Sequence, residues 1–421
     1  MTQARPPSLR CSAMAEKPDL SRRGFLARGL AAASATMLGG CEESSDKRSA
    51  ETMGKEVTLF VCGDVMLGRG IDQILPFPSE PTLSEPVASL AVDYVRYAES
   101  INGPISRPSP FGYVWGDALA DLHAARPNAT IVNLETSITK SKNPAPKLWN
   151  YKMSPANIDC IKVANVDCCV LANNHVLDWG VKGLLETLST LEGKDVAVAG
   201  AGANRNEAAA PAIIDTDGDR RVVVYGFAAT TSGVPGAWAA TNTSPGVNLL
   251  PSLSRGTAVK VARRIAASRR RDDIVVVSIH WGSNWGYRVD KRHRAFAHTL
   301  IDAGACDLLH GHSSHHPLGI EIYRGRPILY GCGDFINDYE GSGMEDYERY
   351  RGDLSIGYLV RFGNDRALTE LALLPYQMRR FQLHSASEID IAWLQSTLDR
   401  ESMRFGTRII LRGSQLNIVP Q

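Results

Sequence analysis

Short runs of β-branched and apolar residues, each closed by a polar side chain able to bind a metal or move a proton, constrain this chain more than any other feature. The runs cover residues 57–62, 130–133, 166–171, 196–199, 221–227, 274–279, 306–309, 328–330 and 356–362. Several are apolar at nearly every position, the pattern of strands buried on both faces. Helical spacing fills the intervals at 113–125, 181–191, 257–268 and 291–303, and Gly and Pro punctuate the joins. Strand alternating with helix predicts an α/β layered domain rather than a β-sandwich or a helix bundle. Segments 72–112 and 232–255, rich in Pro, Ser and Gly, are expected as long insertions lying over a site. Residues 376–421 are expected as a smaller C-terminal extension with one helix near 388–405.

The strand ends carry the functional signal. The first run ends in Gly63-Asp64 and the second in Asn133-Leu134-Glu135. The third ends in Asn173-Asn174-His175, with Asp178 one helical turn later. Later runs end in His280-Trp281-Gly282, in His310-Gly311-His312-Ser313-Ser314-His315-His316, and in Gly333-Asp334-Phe335-Ile336-Asn337. Singly, such an Asp caps a turn, such a His packs in a core, and Trp281 and Trp285 are packing residues. Jointly they build one polar pocket, because ligands of open α/β sheets bind beyond the carboxyl ends of the strands. A mixed carboxylate, amide and imidazole set suits Mn²⁺, Zn²⁺ or Fe²⁺, as one ion or as two sharing a bridging carboxylate.

Composition narrows the class. Hydrophobic residues make up 44% and charged residues 22% of the 421, and the net charge is +1. That balance gives no basis for a nucleic-acid partner, and basic runs such as Arg269-Arg270-Arg271 are read as solvated helix ends. Eight scattered cysteines, with no CxxC pair, argue against a disulfide framework or a zinc ribbon. Residues 1–41 are read as an address: Arg22-Arg23 precede a short, mildly apolar stretch at 29–38, the pattern of a twin-arginine export signal. Leu38-Gly39-Gly40-Cys41 resembles a lipoprotein cleavage box; either Cys41 is lipidated and anchors the protein to a membrane, or it is incidental to a plain signal. Residues 42–56 are polar enough for a tether. The mature protein is thus expected outside the cytoplasm, in the periplasm or on the outer face of the membrane.

The motifs together resemble the poly-gamma-glutamate capsule-synthesis (CapA) family, a branch of the calcineurin-like metallophosphoesterases. The resemblance rests on Gly63-Asp64-Val65-Met66-Leu67-Gly68-Arg69, Asn133-Leu134-Glu135, Asn173 to Gly180, His280-Trp281-Gly282, Gly311 to His315, and Tyr330-Gly331-Cys332-Gly333-Asp334-Phe335. It implies an α/β/β/α sandwich of mixed sheets over residues 57–375. It implies that Asp64 and His315 bind a first metal, that Glu135 bridges, and that Asn174, His280 and His312 bind a second. His175 would be the general acid at the phosphate, oriented by Asp178, and Arg69 would face an anionic group. Two departures stand out: Met66 occupies the place of a usual His ligand, and the usual Gly-His-x-His is stretched by one residue. Two functions follow from the resemblance. One is a metal-dependent hydrolase of an envelope polymer. The other is a non-catalytic accessory of a membrane synthesis or export complex that guides an anionic chain such as poly-gamma-glutamate, with Arg69, Lys152 and Arg288 as carboxylate contacts.

Overall fold

The computed structural model describes residues 56–420 apart from 217, 219 and 414. The export signal, Cys41 and the tether up to residue 55 lie outside the described residues. Two mixed sheets form the frame. The larger contains β1 (Val57–Val65), β2 (Ala129–Leu134), β3 (Cys168–Val170) and β4 (Ala197–Ala199), all mutually parallel. The smaller contains β5 (Ala212–Asp215), β6 (Arg221–Ala228), β7 (Ile274–His280), β8 (Leu308–His312), β9 (Ile320–Tyr323) and β10 (Arg326–Leu329). The chain then returns to the larger sheet through β11 (Asp334–Ile336), β12 (Leu354–Phe362), β13 (Leu368–Arg379) and β14 (Gln382–Ser385), and ends there with β15 (Thr407–Arg412) and β16 (Gln415–Pro420).

Period-two alternation explains why two sheets stack here. In β1, Val57, Leu59 and Val61 enter the core between the sheets, while Phe60 and Cys62 point the other way. In β7, Ile274 and Val276 enter the same inter-sheet core, and Val275, Val277 and Ile279 point outward. Strands apolar on both faces need cover on both faces, and helices supply it. Over the larger sheet pack α2 (Ala91–Asn102), α3 (Asp117–Ala125) and α4 (Gly180–Glu192), together with the short α1 (Arg69–Ile74). Over the smaller pack α5 (Arg255–Ser268) and α6 (Lys291–Asp302). The result is the expected α/β/β/α sandwich with three apolar cores.

Two expectations change. The 72–112 segment, expected as an insertion with no element assigned to it, carries α2, whose Tyr94, Val95 and Ala98 are buried. The C-terminal residues are no separate appendage: β16 pairs with β13 at Ala372–Asn417 and Leu373–Leu416, so they complete the larger sheet. The helix near 388–405 forms as α7 (Glu388–Ser402), with Ile391, Leu394 and Leu398 in the inter-sheet core. All six cysteines of the described residues are buried and free, Cys168 and Cys169 among them.

Candidate metal centre

A bulge aims the first candidate ligand, Asp64. Cys62 pairs with Val132 and Asp64 with Asn133, so Gly63 is one residue too many for the β1–β2 ladder. The bulge brings the chain against Gly333: a Cβ on Gly63 would lie 1.8 Å from the Gly333 carbonyl, and Asp64 N donates to that carbonyl at 3.0 Å. Only glycine fits. Asp64 is left buried, accepting from Asn133 Nδ2 at 2.7 Å and from Ser313 N at 3.3 Å. Asn173 ties the next two strand ends together. Its Nδ2 donates to Asn133 Oδ1 and the Leu134 carbonyl, and its Oδ1 receives the amides of His175 and Val176.

Asp64, His280 and His312 converge, with ligand-capable atoms within 4.8 Å of one another. Hydrogen bonding fixes the imidazole tautomers. His310 Nε2 lies 2.8 Å from the Cys62 carbonyl, which accepts only, so that nitrogen carries the proton. His310 Nδ1 therefore takes the Ser278 hydroxyl proton at 3.0 Å, and Ser278 Oγ accepts from His312 Nε2 at 2.9 Å. That leaves His312 Nδ1 with a bare lone pair. His280 Nε2 donates to Asn174 Oδ1 at 2.8 Å, which leaves His280 Nδ1 bare as well. The two bare nitrogens face each other at 2.7 Å. Two lone pairs at that separation repel unless a cation sits with them, and burial holds both imidazoles well below their ordinary pKa.

The carboxylates make the same demand. Burial pushes Asp64 up to about 6, and burial together with the neighbouring Asp64 carries Glu135 well above its usual range. Glu135 Oε2 is buried without a hydrogen-bond partner, and Oε1 lies 3.7 Å from His175 Nε2 and 3.9 Å from His280 Nε2. Two adjacent buried carboxylates cannot both ionise without a positive charge. A divalent cation therefore fits the residues present: Asp64, Glu135, His280 and His312, with Asn174 Oδ1 beside them.

Other sequence-singled residues take different places. His315 Nδ1 lies 2.9 Å from Asp334 Oδ1 and its Nε2 meets Asn284 at 2.9 Å, so both ring nitrogens are engaged. Burial opposes its charge, but the Asp334 carboxylate prevails and raises its pKa. The extra residue in the histidine block accounts for this: Ser313, at φ 98°, spends its amide on Asp64, and His315 is carried on toward Asp334. Met66 turns its sulfur to the Gly68 amide at 3.2 Å. Arg69 is buried and bound to this chain's own acids, pairing with Asp338 and, at 3.1 Å, with Glu85, and donating to Tyr94 at 2.9 Å. It does not present a free guanidinium to a ligand. Its guanidinium also lies over the Tyr151 ring, 4.4 Å from the centroid. Arg288 lines a cleft with Trp285 and His293 whose lining includes none of Asp64, Glu135, His280 and His312.

Beside the cluster stands the His175–Asp178 pair. Nδ1 of His175 lies 2.6 Å from Asp178 Oδ2, and the Tyr151 ring stacks on the imidazole at 3.8 Å and 8°. Asp178 also receives the Tyr151 amide at 2.7 Å and Lys147 Nζ at 2.5 Å. Burial pushes Asp178 up to about 7 against the pull of Lys147, while burial and then Lys147 keep His175 well below its ordinary value. The pair so holds one proton between Nδ1 and Oδ2, and Nε2 is a bare base facing Glu135. Sequence reading missed Lys147, Tyr151 and Ser278. The first two lie on an irregular stretch with no motif, and Ser278 is one polar residue inside an apolar strand; the short polar step in that run was its only signal.

Comparison with known proteins agrees with this architecture. Residues 58–339 match the family described as bacterial capsule synthesis protein PGA_cap. A probable polyglutamine synthesis accessory protein of Mycobacterium tuberculosis is 45% identical over 371 residues, covering 86% of this chain and 96% of its own. The PGA biosynthesis protein CapA of Bacillus subtilis is 29% identical over 62% of this chain and 66% of its own. The capsule biosynthesis protein CapA of Bacillus anthracis is 26% identical over 68% and 60%. With a family match over residues 58–339 and a relative aligned along nearly its whole length, the chain belongs to the bacterial capsule synthesis (CapA) family.

Proposed function

We propose that this protein is a metal-dependent hydrolase of the cell envelope that cuts a phosphoester or amide-type bond in an anionic polymer handled by a capsule-synthesis or export assembly. The observation that carries the reading is the pair of bare Nδ1 atoms of His280 and His312, facing each other beside Asp64 and under a ready proton carrier. A divalent ion held there would supply Lewis acidity at the bond being cut. His175 does the proton work. Its Nε2 faces the cluster, Asp178 fixes its tautomer through Nδ1, and Tyr151 fixes its plane. Lys147 locks Asp178 and reaches the Asn174 carbonyl, so proton carrier and ligand share one support. Poly-gamma-glutamate as the polymer, export by the twin-arginine route and anchoring at Cys41 belong to the same proposal; the names of the relatives support the first, residues 21–41 the others.

Metal analysis with a turnover assay tests it. Purified protein should hold about one transition-metal ion per chain and cleave an activated phosphodiester. His312→Ala should lose the ion, and His175→Ala should keep it while kcat falls about 10²–10⁴-fold. Full activity in both variants would refute the reading. The second reading is a non-catalytic guide for the polymer. It is favoured by His315, which the first-metal set needs and which is engaged with Asp334 instead. No turnover by metal-loaded protein on any phosphoester or amide polymer would decide for it.

A further inference from the structure

Five of the twelve large hydrophobic side chains exposed among the described residues gather round one cleft of 540 Å³. Phe77 stands next to its lining residue Pro78, and Val87 two residues past Glu85. Leu148 and Trp149 directly precede Asn150, and Val181 lies two residues past Trp179. Consecutive Cα atoms are about 3.8 Å apart, so each of the five is within about 8 Å of chain of the lining. Leu148 and Trp149 form the tip of a closed loop. Asn150 Nδ2 donates to the carbonyls of Ala145 and Lys147, and Ala145 N donates to the Asp178 carbonyl at 2.7 Å. At 59% exposure for Leu148 and 55% for Phe77, these side chains face water unless a partner covers them.

The same cleft is basic. Lys140, Lys142 and Lys152 line it, Lys140 and Lys142 exposed, and none of the three ammonium groups has an ion-pair partner among the described residues. Lys152 Nζ rests over the Trp179 ring, 3.8 Å from its centroid. Against them stands the exposed Glu80, held by the Thr82 amide and hydroxyl, because Glu85 is engaged by Arg69 and Tyr94. Composition then selects the partner. Protein interfaces draw Arg and avoid Lys, whereas this lining has three lysines and no arginine. A lysine is a point charge on an apolar stem, which suits a diffuse anionic layer above an apolar one. Trp and aliphatic tips beside such lysines are what a face lying in a headgroup layer presents. No helix of the described residues is long and apolar enough to cross a membrane, and this face is of the kind that lies on one.

We propose that this face docks on the surface of an anionic phospholipid bilayer. Phe77, Val87, Leu148, Trp149 and Val181 enter the boundary between headgroups and acyl chains, and Lys140, Lys142 and Lys152 pair with lipid phosphates. The inference depends on neither hydrolysis nor a lipid on Cys41. Lys147, next to Leu148, holds Asp178 at 2.5 Å, so docking sets the His175–Asp178 pair beside the membrane surface.

Co-sedimentation with vesicles tests it, using the full chain with Cys41→Ser as the parent so that no lipid anchor contributes. Binding should be about tenfold or more tighter to equimolar phosphatidylcholine and phosphatidylglycerol than to phosphatidylcholine alone, and should weaken as salt rises. Lys140→Ala/Lys142→Ala should weaken it about 10–30-fold. Leu148→Ser/Trp149→Ser should weaken it at least about tenfold. Both variants change exposed positions and should keep the parent's melting temperature and metal content. Hydrogen exchange on the vesicles should slow at residues 77–87 and 140–150. Equal binding to the two vesicles, unchanged binding in both variants, or no slowing at these segments would overturn the proposal. So would a solution dimer that Leu148→Ser/Trp149→Ser dissolves while the parent ignores vesicles, since the face would then belong to a second copy. Vesicle binding through this face by a chain that never turns over would overturn the hydrolase reading alone.

Discussion

At the scale of single residues, what matters is which lone pair faces which neighbour. The chain from the Cys62 carbonyl through His310 and Ser278 sets the protonation of the candidate ligand His312 from outside the cluster, as residues behind a metal ligand commonly do. Ser278→Ala frees His312 to take the other tautomer, and calorimetry should show metal affinity weakened about 10–100-fold. An unchanged affinity would mean that the tautomer is set elsewhere. His293, which is not among the candidate ligands, offers a pH test. It stacks on Trp281 at 4.5 Å, and burial lowers its pKa to about 4. The unfolded chain takes up this proton near pH 6.5 and the folded chain only near 4, so this residue's stabilisation is full above about 6.5 and is lost as pH falls toward about 4. His293→Phe keeps the stack and removes the proton, so denaturation midpoints should fall less steeply with acid, by on the order of 3 kcal/mol across that window. Parallel wild-type and variant curves would contradict this.

At the scale of elements, the bulge at Gly63 shows how a strand end becomes a site. Sequence reading placed Asp64 at the end of a buried strand, and it lies in β1 as Asp64↔Asn133. The direction of the carboxylate came from the close approach of Gly333, a residue from the far side of the chain, and no local pattern announces that contact. Gly63→Ala should cost several kcal/mol, on the order of 3 or more, because the new methyl has only backbone to displace. Thermal melting checks this, and a loss below about 1 kcal/mol would show that the strands part easily. The stretched histidine block was equally visible in the sequence. That Ser313 would use its amide on Asp64, and so deliver His315 to Asp334, depended on the packing of β8 against β1.

At the scale of the whole molecule, the candidate ligands come from both sheets: Asp64 lies in β1 and Glu135 just after β2 of the larger, and His280 and His312 are the last residues of β7 and β8 of the smaller. An ion bound by all of them ties the two sheets together. Saturating Mn²⁺ or Zn²⁺ at about 100 times its Kd should stabilise the protein by about 2.7 kcal/mol, seen as a raised melting temperature that a chelator reverses. His312→Ala should abolish the shift; a shift that persists would place the ion elsewhere. By itself the sequence determined the layered α/β class, the strand ends that carry polar groups and the chemical types gathered there. Period-two apolar runs require burial on two faces, and that requirement is local. Only the tertiary structure decided which histidines keep a bare nitrogen, that Arg69 is engaged by Asp338 and Glu85, that residues 407–420 close the larger sheet, and that Lys147 and Tyr151 stand at the His175–Asp178 pair. Those outcomes turn on hydrogen bonds between segments far apart in the chain, and directional bonds of that kind leave no period in the sequence.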